Sequence, residues 1–312
     1  MAERRRADGP VSGVGLSIDH AADSLGELGP ALDRFETYAP DSVEIFLPAM
    51  GVVIGGGLQR RRLAELRRIC AGRPFAVTLH GPLSGDLGDR ANADVQRATA
   101  RAGLEAAGEL GARVYVQHQT IAPSADRRVV ADRLAREREA LAELAPAAEA
   151  AGVPLIVETM FAHQGEWTAL PHELAAQLAA IGSPAVGDVI DFSHAALNAT
   201  ARGAALQPSL AALAPHARHL HIHDSFGRPP PFRPWTRGDA MSFGFGDLHL
   251  PPGDGDLDWD AFADLPFAGA GIVANLELDS RWTPEWPDVL AWTRDWMALA
   301  NAEAPRRAGA RG

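Results

Sequence analysis

The segment Ala150-Ala151-Gly152-Val153-Pro154-Leu155-Ile156-Val157-Glu158-Thr159 ends an alanine-rich helical run, stops it at a glycine and opens a short apolar strand that finishes on a carboxylate. Glycine most readily takes the left-handed conformation that closes a helix, so Gly152 marks a helix-to-strand connection. The same signal, Glu109-Leu110-Gly111, precedes the run Arg113–His118. Outward from this segment, β-branched runs alternate with Ala/Leu/Arg-rich stretches of helical period, the pattern of β-α units around a parallel sheet. Eight strands are predicted, at Val11–Ile18, Val43–Leu47, Phe75–His80, Arg113–His118, Pro154–Glu158, Ala185–Asp191, Ala217–His223 and Gly271–Glu277. Helices are clearest at Leu58–Ala71, Ala91–Leu110, Val129–Ala151, Pro171–Ile181 and Trp286–Asn301.

Eight such units imply a (β/α)8 barrel, and 312 residues suit one domain of that kind. The barrel is expected over residues 11–303, with flexible tails at 1–10 and 304–312. Ser225–Asp256 breaks the rhythm with Pro229, Pro230, Pro231, Pro234, Pro251, Pro252 and many glycines, and is predicted as a long loop after the seventh strand. Loops that follow strands stand on the active-site face of a barrel, and a loop of this length is usually functional. Trp286, Trp292 and Trp296 on the last helix are expected in the core or an interface.

An apolar fraction of 46% and a charged fraction of 22% are ordinary for a globular chain with a sizeable core. No apolar run approaches the roughly 18 residues of a membrane span, and the Arg-rich start lacks a signal region, so a cytoplasmic protein is expected. The net charge of −11 disfavours nucleic acid as a partner and favours cations. All 29 basic residues are arginine, which excludes a Schiff-base or general-base lysine. Cys70 stands alone, so it forms neither an internal disulfide nor a cysteine metal site, and an apolar helix face is its expected place.

Metal-capable side chains gather at strand ends. Of 11 histidines, seven (His80, His118, His194, His219, His221, His223 and His249) lie at or just beyond predicted strand ends, with Glu158, Asp191, Asp247 and Glu277 beside them. Singly, each has an ordinary structural explanation. Jointly, so many ionisable groups at one barrel mouth are costly to bury without a cation. Imidazole mixed with carboxylate suits zinc, manganese or iron better than calcium or magnesium. In His219-Leu220-His221-Ile222-His223, alternation sends the three histidines to one face. His221 is best placed to ligate, His219 is expected as a packed or hydrogen-bonded interior residue, and His223 as a ligand support or substrate contact.

The segments Leu79-His80-Gly81-Pro82, Val116-Gln117-His118, Ile156-Val157-Glu158-Thr159, Ile190-Asp191-Phe192-Ser193-His194-Ala195, His221-Ile222-His223-Asp224-Ser225, Asp247-Leu248-His249 with Gly253-Asp254-Gly255, and Leu276-Glu277 resemble the xylose isomerase-like TIM barrels, and more narrowly endonuclease IV. The resemblance covers nearly all of the barrel. It implies one metal held by His80, His118 and Glu158, a second by Glu158, Asp191, His221 and Glu277, and a third by His194, Asp247 and His249. Up to three divalent ions are therefore expected, zinc or manganese first and iron or cobalt next. Sugar isomerases and epimerases of the same superfamily need only the second set. The chain departs from endonuclease IV where Leu83-Ser84-Gly85 replaces an aromatic wedge for DNA, and in its longer loop after strand seven. A small-molecule substrate is expected, and nucleic acid is not.

Arg228, Arg233 and Arg237 in the loop are candidates for holding a phosphate or carboxylate, with a solvated loop as the ordinary alternative. Trp235, interleaved with Phe232 and Phe243, is a candidate cover for substrate, and Glu44 on the second strand is a candidate for the mouth. The first functional expectation is metal-dependent hydrolysis of a small sugar-like or phosphorylated compound. The alternative is isomerisation or epimerisation of a sugar or cyclitol, with Glu158 and Glu277 moving a proton and His223 as a further catalytic candidate. Iron-dependent oxygen chemistry is a third reading. A barrel that binds without turnover would have lost a ligand, and no ligand position is lost. The sequence leaves the oligomeric state open.

Overall fold

A computed structural model describes residues 9–18, 22–232 and 234–309. Eight parallel strands close into a barrel in chain order: β1 Val11–Ser17, β2 Ser42–Phe46, β3 Ala76–His80, β4 Tyr115–His118, β5 Leu155–Glu158, β6 Val186–Asp191, β7 Ala217–Ile222 and β8 Ile272–Leu276. Each coincides with a strand expected from the sequence. The helices are α1 Leu25–Glu36, α2 Arg60–Cys70, α3 Ala93–Leu110, α4 Arg127–Ala151, α5 Pro171–Ile181, α6 Phe192–Arg202, α7 Leu206–Leu213, α8 Arg237–Phe243, α9 Trp259–Ala263 and α10 Trp286–Gly309. Gly111 and Gly152 close α3 and α4 with φ of 67° each, as their sequence signals require.

Alternation along the strands builds two cores. Val114, Val116, Ile156 and Val189 form a small cluster inside the barrel, while Leu155, Val157, Ile190, Leu220 and Ile222 belong to the large layer between strands and helices. From α4, Leu141 and Leu144 enter that layer fully buried. Truncating either to alanine would cost about 2–5 kcal/mol, through lost burial and the cavity left behind. Trp286 and Trp296 are buried, and Trp292 packs on Trp259 with ring centroids 5.3 Å apart. Cys70, at the end of α2, is half-buried against the same layer, and burial pushes its thiol up to about 11.

The segment after β7 is more ordered than its prolines suggest. It holds the short α8, capped where Thr236 Oγ1 accepts from Asp239 N and Asp239 Oδ2 accepts from Thr236 N, both at 3.0 Å. An antiparallel bridge ties Asp224 to Leu250. The buried Asp224 carboxylate accepts from Ser225 N, Gly253 N, Leu257 N and Trp259 Nε1 at 2.8, 2.8, 3.3 and 3.0 Å. Gly255 is required beside it, because a Cβ there would fall 2.3 Å from Asp224 Oδ1. The helix α10 runs on to Gly309, through most of the stretch expected as a C-terminal tail. Of the expected tails, residues 1–8 and 310–312 lie outside the described residues. Among the described residues, no helix is long and apolar enough to cross a membrane.

Candidate metal centre

Parallel strands of one barrel end on one face, so side chains at their last inward positions converge. His80, His118, Glu158 and Asp191 end β3, β4, β5 and β6 respectively, and Glu277 follows β8. Strand register sets His118 beside Glu158 and Asp191 beside His221. Asp191 also caps α6, where it accepts from His194 N at 2.8 Å and so brings His194 to the same mouth.

Glu158 is the hub. Its Oε2 lies 3.0 Å from His80 Nε2 and 3.4 Å from His118 Nε2, and its Oε1 lies 3.2 Å from His221 Nδ1. Glu277 Oε2 is 3.1 Å and Asp191 Oδ2 3.8 Å from that same His221 nitrogen. Donor atoms of Glu158, Asp191, His221 and Glu277 all lie within 4.8 Å of one another, as do those of His80, His118 and Glu158. Two of the groups implied by the resemblance are therefore assembled. In the third region Asp247 Oδ2 lies 3.3 Å from His194 Nε2 and 2.6 Å from His249 Nε2. The compact group there is His223, His249 and Glu277. His223 Nε2 in turn lies 2.8 Å from Asp191 Oδ2.

Backbone carbonyls orient three of the histidines. Nδ1 of His80, His194 and His249 faces the carbonyl oxygen of Gly81, Thr159 and Glu277 at 2.8, 3.0 and 2.6 Å, which leaves each Nε2 for the cluster. His249 holds this pose with φ of 50°, in the left-handed region that few side chains adopt without cause.

The electrostatics are those of anions balanced by protons. Burial favours a neutral carboxyl at Glu158, but the charge of His221 and hydrogen bonds from His194 and His221 outweigh it and hold the group well below its usual range. Burial is likewise overcome at Glu277, which His221 holds down to about 2. Burial would lower His80 and His249, yet Glu158 raises the first to about 9 and Asp247 the second to about 10. His118, where burial prevails, falls to about 4 and is neutral. The three carboxylates and one imidazole around His221 Nδ1 form a donor set that fits a divalent cation, and such an ion would replace the protons on the histidines.

Other candidates fall elsewhere. Glu44 does not face an open mouth: it is 1% exposed and lies under the cluster inside the barrel, against His219 and His221. Arg228 pairs with Asp256 at 2.7 Å, over the ring of Phe226, and is not brought to the cluster. Arg237 pairs with Asp279 at 2.9 Å, at the rim near His249. Arg233 lies outside the described residues. Trp235 is 96% exposed and covers nothing. Sequence reasoning missed the loop anchor Asp224, and Phe161, whose ring stands 5.0 Å from that of His194. No local spacing reports either, since the partner of Phe161 comes from the next unit and those of Asp224 lie up to 35 residues on in the same long connection.

Residues 32–298 match the family described as xylose isomerase-like TIM barrel. No curated protein matches the chain. Among solved structures, it is similar to a D-tagatose 3-epimerase-like protein, with 18% identity and a TM-score of 0.67 over 92% of this chain and 98% of that one. It is also similar to D-psicose 3-epimerase from Clostridium cellulolyticum, solved with D-tagatose, at 14% identity and a TM-score of 0.65 over 91% and 99%. A protein from Thermus thermophilus soaked with zinc chloride gives 22% identity and a TM-score of 0.64 over 91% and 97%. At such identities the likeness to the solved structures is one of fold, whereas the family match spans most of the sequence: the chain belongs to the xylose isomerase-like TIM barrels.

Proposed function

We propose that this chain is a divalent-metal-dependent epimerase or isomerase of a small polyhydroxylated carbonyl compound, a sugar or a cyclitol. The observation that carries the reading is the convergence of Glu158 and Glu277 on one nitrogen of His221, at 3.2 and 3.1 Å, with Asp191 beside them. Glu158, Asp191, His221 and Glu277 would hold the principal ion, for which zinc or manganese suits the ligand mix and iron or cobalt also matches. A cation there supplies a clamp for two neighbouring substrate oxygens and draws charge from the carbonyl.

The protein's own groups do the proton work. Glu158 and Glu277 are both held ionised, so either is ready to take a proton from the carbon next to the carbonyl. The other carboxylate, once it has taken a proton from solvent, returns it to that carbon, on the opposite face for epimerisation. His223, 2.8 Å from Asp191, steadies that carboxylate. His80 and His118 beside Glu158, and His194, Asp247 and His249 on the far side, offer donors for up to two further ions.

Hydrolysis, the first expectation from the sequence, stands behind this reading. Two of these three similar structures are of proteins named for sugar epimerases, and none is named as a hydrolase. The test is incubation of zinc- or manganese-loaded protein with a panel of ketoses and cyclitol ketones in deuterium oxide, followed by NMR. Metal-dependent deuterium at a substrate carbon is expected. Phosphoester cleavage with no deuterium in any carbonyl substrate would overturn the reading and restore hydrolysis.

A further inference from the structure

His221 is turned the opposite way to the histidines around it. His80 and His249 each direct Nδ1 to a backbone carbonyl and Nε2 to a carboxylate, and His194 Nδ1 also faces a carbonyl, that of Thr159, although Glu158 Oε1 lies 3.3 Å from the same nitrogen. His221 directs Nδ1 to Glu158 and Glu277, and its Nε2 points into the barrel interior, 3.3 Å from Glu44 Oε1. Strand carbonyls on either side are already engaged in the parallel ladder, so an acceptor for Nε2 must come from a side chain. Glu44, on β2 with β1 and β8 between it and the strand of His221, reaches across the barrel interior and is the acceptor within reach.

Glu44 is itself held from several strands. Register sets Thr78 of β3 beside it, and Thr78 Oγ1 donates to Oε2 at 3.2 Å. Asn275 of β8, paired with His221 in the ladder, donates through Nδ2 to Oε1 at 3.3 Å. His219 Nε2 lies 3.1 Å from Oε2, which gives the first histidine of the alternating run its place as an interior anchor. Gly15 on β1 leaves space for this layer, since a Cβ there would fall 2.5 Å from Asn275 Oδ1 and 2.7 Å from Ser42 Oγ. The two imidazole contacts are off the line of a straight hydrogen bond, and among the described residues no other partner competes with Glu44 for Nε2 of His221. A buried carboxylate gripped in this way is not free to swing up to a substrate.

We infer that Glu44 is a positioning residue for the metal centre, which keeps the His221 proton on Nε2 and presents Nδ1 to the cation. The inference rests on the proposed ion between Glu158, Asp191, His221 and Glu277. An imidazole ligates only through a nitrogen that carries no proton, and a buried N–H on the other nitrogen is costly without an acceptor. Glu44 meets both requirements at once, from below, without touching substrate.

The experiment has two readouts apart from turnover. Imidazole 15N–1H spectra of the metal-free protein, with His221 assigned by the signal missing in His221→Gln, are expected to show an Nε2–H of His221 protected from solvent exchange. Glu44→Ala should lose that protection and weaken zinc binding by about ten- to a hundredfold, the scale for removing a group that orients a metal-ligating histidine. Glu44→Gln, which retains one acceptor oxygen, should recover part of the affinity. A protected proton on Nδ1 with Nε2 bare, or a folded Glu44→Ala that binds zinc like the wild type, would overturn the inference. Should Glu44→Ala fail to fold, the wild-type spectrum and Glu44→Gln decide. Zinc binding that depends on Glu44, with no deuterium entering any ketose, would sink the epimerase reading and leave the role of Glu44 standing.

Discussion

His223 and His249 stack face to face, with ring centroids 4.2 Å apart and planes 3° from parallel. Asp247 bonds to one and borders the other, with Oδ2 2.6 Å from His249 Nε2 and Oδ1 3.7 Å from His223 Nδ1. The left-handed backbone of His249 is the local cost of this stack. His249→Ala removes the imidazole proposed to ligate, and His249→Asn does so with a residue that suits the left-handed backbone better. Both are expected to lower the number of ions per chain by a single ion, with the ion at His221 retained, as read by elemental analysis after dialysis. Unchanged stoichiometry would show that this region holds no metal.

Glu158→Gln and Glu277→Gln keep size and shape and remove the charge of a proposed base that also faces the proposed ion. Each is expected to lower kcat for the deuterium-exchanging substrate by about a hundredfold or more, the usual scale for a lost general acid or base. Loss confined to KM, with kcat intact, would place the proton chemistry elsewhere.

The cation-free protein should be most stable in mildly acidic solution. His80, raised from 6.5 to about 9, contributes stability that is complete below pH 6.5 and lost as pH rises through about 9. His249 does the same, with its loss centred near pH 10. Glu277, lowered from 4.5 to about 2, contributes stability present above pH 4.5 and lost as pH falls towards 2. Tm without metal is therefore expected to peak between pH 4.5 and 6.5 and to decline towards pH 9. Zinc affinity should rise over that same alkaline limb, because the ion displaces histidine protons. A cation-free Tm that climbs from pH 6.5 to 9 would contradict this balance of charges.

Asp224→Ala is expected to cost about 2–4 kcal/mol, since it strands buried donors of Gly253 and Trp259. The loss should appear as a lower denaturant midpoint and as faster proteolysis within residues 225–256.

Trp235→Ala should shift stability by no more than about 0.5 kcal/mol, because the ring is almost wholly in solvent. Arg237→Ala, which breaks a part-exposed pair with Asp279, should cost at most about 1 kcal/mol. A rise in KM in either variant would give the loop a part in substrate binding. Unchanged kinetics in both would leave it a scaffold.

The strands and helix stops were legible because periodicity and glycine closure are local properties, as Ala150–Thr159 shows. The histidines and carboxylates of the mouth were legible for a related reason: a residue at the end of a barrel strand has its face set by its strand alone. What a residue touches across the barrel is not local. Stagger between strands decided that Glu44 lies beneath His221 and away from the mouth. It also decided that His223 stands with His249 and Glu277 in a compact group, beside the His194, Asp247 and His249 that the resemblance implies. Loop closure over residues 224–259 made Asp224 an anchor and set Arg237 on Asp279, outcomes that depend on segments far apart in the chain meeting in space. The sequence by itself determined the barrel and the chemical character of its mouth. Only the tertiary structure decided which nitrogen of His221 faces the carboxylates and which group holds the other, because that choice is made by side chains from five different strands packed into one interior.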